Sequence, residues 1–90
     1  MYKLIITESY QRRAKKCFTK HSEILKQYEK ILKILCLNPR HTSLRLHKLS
    51  GRLTGLSSVS INISYRIIIH FTIQDKQIIP IDIGSHDELY

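Results

Sequence analysis

YRIIIHFTIQDKQIIPIDIGS, residues 65–85, decides the fold of this ninety-residue chain. In its first nine residues Tyr65, Ile67, Ile69, Phe71 and Ile73 fall on one face of an extended segment, and Arg66, Ile68, His70 and Thr72 on the other. Such a period of two is the mark of a strand, whose successive side chains point to opposite faces. Gln74, Asp75 and Lys76 make a tight connection, and QIIPIDIGS is the next strand. Strands joined this closely pair antiparallel. Pro80 stands inside the second one, although proline cannot donate to a ladder and is confined to edges and bulges.

Working upstream, Val59, Ile61 and Ile63 alternate with Ser58, Ser60 and Asn62, which predicts another strand with a polar outer face. Before it, SLRLHKL (43–49) alternates Leu44 and Leu46 with Arg45 and His47, so the two basic side chains are expected on the face opposite the leucines. Gly51 and Gly55 flank the turn between these strands.

Further upstream the period lengthens to that of a helix. Tyr10, Ala14, Cys17 and Phe18 recur at helical spacing after a Thr7 cap and Glu8 in the first turn. His21-Ser22-Glu23 breaks the helix, with Ser22 the expected cap of a second one, whose stripe is Ile24, Tyr28, Ile31, Leu32 and Leu35 and which Asn38-Pro39 ends. YKLIIT (2–7) reads as a leading strand. The expectation is an α+β fold in one domain, residues 1–90. An N-terminal strand precedes an antiparallel two-helix hairpin, which covers one face of a mainly antiparallel strand meander. The other face is expected to be open, carrying Arg45, His47, Asn62 and Arg66.

Net charge is +8, but its distribution is lopsided: residues 1–50 hold twelve Lys and Arg against three acids, residues 51–90 three against four. So basic a surface attracts nucleic acid, anionic membrane or an acidic protein. No apolar run approaches the roughly 20 residues of a membrane span, and the start of the chain lacks the pattern of a signal peptide. A cytosolic protein without membrane association is expected. Cys17 and Cys36 fall in the helical stripes as small core residues, not as a disulfide. Neither CxxC nor HxxxH occurs, so no metal site is expected.

Cleavage of RNA through its own 2′-hydroxyl needs a base, a cation for the charge on phosphorus, and an acid for the departing 5′-oxygen. His47, Arg66 and His86 supply such a set. Each also has a plainer reading. His47 suits a solvated strand residue, Arg66 suits an ion pair with Asp82, and His86 suits a cap at the chain end oriented by Asp87. His21, His41 and His70 have no partner indicated, and the helical Lys and Arg also suit a solvated face.

The order of elements, together with HKLSG, SYRIII and GSHDELY, resembles the RelE-like toxins of bacterial toxin–antitoxin modules, over essentially the whole chain. It looks closest to the YafQ-like branch, which uses histidines where others use lysine and arginine. The resemblance implies a microbial-ribonuclease-like fold and a ribosome-dependent, metal-independent mRNA endonuclease held inactive by a cognate antitoxin. It also implies ribosome-bound mRNA and ribosomal RNA as partners, and no cofactor. By position, it makes His47, Arg66, His86 and Tyr90 the catalytic set, with Tyr90 stacking on a base or orienting the scissile phosphate. Arg12, Arg13, Lys16, Arg45, Lys48 and Asn62 become RNA-binding residues. Two positions depart from the family pattern: Asp82 where several members are basic, and Ser57 where tryptophan is common. Competing expectations are a ParE-like gyrase inhibitor on the same scaffold, which needs no catalytic histidine, and a catalytically weak member that only binds an antitoxin or RNA.

Overall fold

A computed structural model describes residues 1–90. The elements are β1 (Lys3–Leu4), α1 (Glu8–Lys20), α2 (Leu25–Leu37), β2 (His47–Lys48), β3 (Ser57–Ser60), β4 (Tyr65–Thr72), β5 (Gln77–Ser85) and a single terminal turn, α3 (His86–Leu89). The sheet has five strands in the order β1-β5-β4-β3-β2. β2 to β5 form the antiparallel meander, while β1 joins β5 in parallel, so the sheet is mixed.

Thr7 caps α1 as expected, its Oγ1 accepting the Tyr10 N–H at 3.1 Å. The expected Ser22 cap does not form. His21 closes α1 instead, and residues Ser22–Ile24 make a tight helical turn that leads into α2 without any side-chain cap. Asn38 ends α2. The apolar stripes of both helices meet the isoleucine face of the sheet in one core that includes Tyr10, Ile31, Leu35, Leu44, Ile67 and Ile69. Inside it the Tyr10 and Tyr28 hydroxyls share a hydrogen bond of 2.9 Å. Burial drives both phenol pKa values up, so both remain neutral donors. Cys17 and Cys36 are free and half-buried, and burial raises both thiol pKa values.

Three strand expectations fail. SLRLHKL is not a continuous strand: residues Thr42–Leu44 form a short helical turn, Arg45 adopts a left-handed backbone (φ 49°), and only His47 and Lys48 pair with β3. Leu44 is nonetheless fully buried, so the leucine pattern marked burial and not extension. β3 stops at Ser60 because Asn62 Oδ1 accepts the N–H groups of Ser64 (2.9 Å) and Tyr65 (2.8 Å), forming a turn that leaves Ile63 88% exposed. Finally, Ser58 and Ser60 are buried, not part of a solvated face. β3 is an interior strand, and a side chain as short as that of Ser58, between His47 and Ile68 in register, lies below the level of both.

Pro80 is accommodated at a bulge. Ile68 opposes Asp82 and Ile69 opposes Pro80, leaving Ile81 unpaired. Ile78 bonds outward to β1 through its carbonyl, at 2.9 Å from the Ile5 nitrogen, and strand alternation turns the Pro80 nitrogen to that same outer edge.

Candidate functional site

The sheet register brings the site together. On the helix-free face, Arg66 of β4 opposes Ser60 on one side and Gly84 on the other, while His47 of β2 opposes Ser58. Directly opposed residues share a face, so His47 and Arg66 stand on either side of β3 with two buried serines between them. The Ser60 hydroxyl donates to the Asn62 carbonyl at 2.7 Å, whereas the buried Ser58 hydroxyl has no partner.

The third wall is the chain end. Ser85 Oγ accepts the Glu88 N–H at 3.3 Å and Glu88 Oε1 accepts the Ser85 N–H at 2.9 Å, a reciprocal capping box that starts α3. These bonds hold the Glu88 carboxyl below the usual glutamate range. Leu89 is buried and pegs the turn to the sheet. Gly84 is an ordinary strand residue, and the turn out of the sheet belongs to Ser85. A Cβ at Gly84 would lie 3.4 Å from Glu88 Cβ and 3.6 Å from Leu89 Cδ2, ordinary contact distances that show α3 folded down against this strand residue. α3 therefore covers part of the face expected to be open.

One helical turn places His86 and Tyr90 side by side, their ring centroids 4.7 Å apart. With His47, Leu49 and Arg66 they line one shallow depression of about 330 Å³. All four residues of the expected catalytic set thus meet, and Leu49 adds an apolar wall that the sequence reading missed. His47 Nδ1 lies 3.4 Å from the Arg45 carbonyl, a long contact. A carbonyl only accepts, so this contact favours a proton on Nδ1 and leaves Nε2 as the basic nitrogen. His86 differs: its Nδ1 lies 3.7 Å from Asp87 Oδ1, and both side chains are exposed.

The remaining basic residues scatter. Arg45 lines a separate concavity with Arg40, His41 and Thr42, and does not share a face with His47. Asn62 is occupied by its turn. Lys48 is exposed on β2, and Arg12 is exposed on α1. Arg13 and Lys16 line a cleft between α1 and α3. Asp82 opposes Ile68, one row from Arg66, and forms its ion pair with Arg13 of α1 at 3.4 Å instead, which leaves the Arg66 guanidinium without a carboxylate partner. Ser57 is half-buried at the start of β3, opposite Lys48 and Ile69. A further bond escaped the sequence reading altogether: the Tyr65 hydroxyl meets His21 Nδ1 at 2.9 Å and ties the helical break to the start of β4. Its only signal was a histidine at a helix break. No group of three or more His, Cys, Asp and Glu side chains is gathered closely enough to hold a metal ion.

No protein-family model matches the sequence, and no curated relative does. Solved structures do match. YafQ from E. coli superposes with a TM-score of 0.81 over 100% of this chain and 99% of its own, at 15% identity. A metal-bound toxin from Helicobacter pylori gives 0.79 over the full length of both chains at 20% identity. A YoeB/ParE toxin from Agrobacterium tumefaciens gives 0.74 over 93% of this chain and 98% of its own, at 15% identity. The α+β fold is that of the RelE/ParE toxins, as the resemblance in the sequence implied.

Proposed function

We propose that this chain is the toxin of a toxin–antitoxin pair and that it cleaves mRNA on the ribosome. The observation that carries the reading is the meeting of His47, Arg66, His86 and Tyr90 around one depression, from three separate parts of the chain. His47 Nε2 takes the proton of the 2′-hydroxyl, and the oxygen attacks the adjacent phosphorus. Arg66 binds the non-bridging oxygens through its planar fork as negative charge builds on them. His86, acting as the acid, gives its proton to the departing 5′-oxygen. The products are a 2′,3′-cyclic phosphate and a free 5′-hydroxyl, with the proton inventory closed between the two rings. Tyr90, packed on His86, offers a face on which a base stacks, worth about 1–3 kcal/mol. The exposed cations of α1 bear on ribosomal RNA phosphates without reading sequence.

The likeness to YafQ, a protein also crystallised as a DinJ–YafQ toxin–antitoxin complex, supports a proteinaceous antitoxin as partner here. The test is to translate a defined message with purified components, with and without the protein, and to map new 5′ ends by primer extension. Cuts confined to ribosome-bound message are expected. Intact message together with blocked gyrase supercoiling overturns the nuclease reading in favour of a gyrase inhibitor.

A further inference from the structure

Immediately after α2 the chain builds a second basic concavity, of about 270 Å³, lined by Arg40, His41, Thr42, Arg45 and Leu46. We propose that Arg40, His41, Thr42 and Arg45 form a cradle for a phosphate of the RNA backbone, apart from the catalytic depression and next to it along the chain. The inference rests on the reading that this protein binds RNA.

Its framework is well held. Asn38 Oδ1 accepts the Arg40 N–H at 3.1 Å, and the Asn38 carbonyl accepts the His41 N–H at 3.0 Å. Leu44 is fully buried and anchors the far side. His41 Nδ1 accepts the backbone N–H of Ser43 at 3.2 Å. A backbone N–H only donates, so Nδ1 carries no proton and the neutral ring bears its proton on Nε2, as a donor. The lining residues thus bring two arginines, a histidine and a threonine to the space, and no carboxylate.

The cleft between α1 and α3 is the obvious rival, since Arg13, Lys16 and Lys20 line it. Asp82 and Glu88 line it too, and Asp82 already pairs with Arg13. Anion binding favours the concavity without acids. Arg45 also links the two sites: its side chain lines the cradle while its carbonyl faces the ring of His47. A strand whose phosphate sits on Arg45 therefore runs within two residues of the base.

The experiment measures binding of a short, non-cleavable 2′-O-methyl oligonucleotide by fluorescence anisotropy across a salt series. Arg40→Gln with Arg45→Gln should flatten the slope of log affinity against log salt by about 0.7 for each phosphate no longer neutralised. Lys30→Gln with Lys33→Gln on α2 removes the same charge from exposed positions elsewhere and should leave a steeper slope. Equal slopes for the two double variants overturn the cradle, because a diffuse field then explains binding. In a second arm, inorganic phosphate titrated into 15N-labelled protein should move the His41 Nε2 resonance more than that of exposed His70, and a uniform response overturns the cradle. Loss of polyglutamate binding with oligonucleotide binding intact assigns the concavity to an acidic protein and overturns it too. If the wild-type protein fails to bind the oligonucleotide at any salt, the RNA-binding reading falls as well, which separates that failure from failure of the cradle alone.

Discussion

The hairpin of β4 and β5 and the segment from residue 38 to residue 56 contribute to the same site by opposite means. The hairpin is a long ladder, eight residues facing nine, with isoleucines on the core side. It presents Arg66 from the middle of a sheet and His86 and Tyr90 from a capped turn at its end. The other segment has two residues of strand, two short helical turns and three residues with positive φ, Arg45, Gly51 and Gly55, yet it presents His47. Its order comes from single anchors, above all Leu44 and the Arg45 carbonyl. Position in the site can therefore be secured by a lattice of backbone bonds or by a few specific contacts.

The largest expected effect tests the first kind. Ile67→Ala removes a fully buried side chain from the centre of β4 and should cost about 2–5 kcal/mol of stability in denaturant unfolding. A cost below that of an exposed β2 substitution such as Lys48→Ala would break the comparison.

Next comes His86→Ala, expected to slow cleavage of ribosome-bound message by about 100-fold or more with stability nearly unchanged, the typical cost of losing general acid catalysis. Normal cleavage by this variant removes His86 from the mechanism. A smaller effect follows for Arg66→Lys. It keeps the charge and loses the fork, so cleavage should fall by about tenfold with the melting temperature preserved. Because Asp82 pairs with Arg13, a large stability loss from this change is not expected.

The smallest effect sharpens the comparison within the hairpin's own end. The Glu88 carboxyl titrates below its ordinary value of 4.5 because it accepts the Ser85 N–H. A group depressed in the folded state stabilises above its unfolded pKa, and that contribution is lost as pH falls through the folded value. The tail should thus keep its order from neutral pH down to about 4.5 and loosen below it. The resonances of the Tyr90 ring report this directly, and Glu88→Gln should remove the dependence.

The hairpin was legible in the sequence because its alternation, turn and flanking residues all agree, and agreement across levels is what makes a local pattern decisive. β5 begins and ends at the residues expected. Residues 43–49 were misread for a physical reason. Leucines two apart fit a half-buried strand and equally a tight turn with one buried anchor, and periodicity cannot separate these over so short a run. The same weakness put Asn62 on the site's face. An Asn whose side chain accepts the amides two and three residues on looks, in sequence, like any polar strand residue. The expected pairing of Arg66 with Asp82 failed because the bulge offsets the ladder and α1 lies along the β5 edge, where Arg13 also reaches the Ile81 carbonyl at 3.5 Å. Long-range docking of that kind leaves no local trace.

The Pro80 bulge has a consequence for self-association. β1 covers only Gln77 and Ile78, through contacts that close a loop across most of the chain, so this two-residue pairing opens at small cost. Opening it uncovers an isoleucine-rich edge, the kind of surface onto which another chain adds a strand. Pro80 interrupts the donors of that edge, Ile81 bulges beside it, and the charged side chain of Arg13 stands over the carbonyl that follows. An incoming strand finds only a few consecutive bonding positions before the template breaks. Proline, which looked misplaced inside a strand, thus makes this edge a poor template for edge-to-edge pairing.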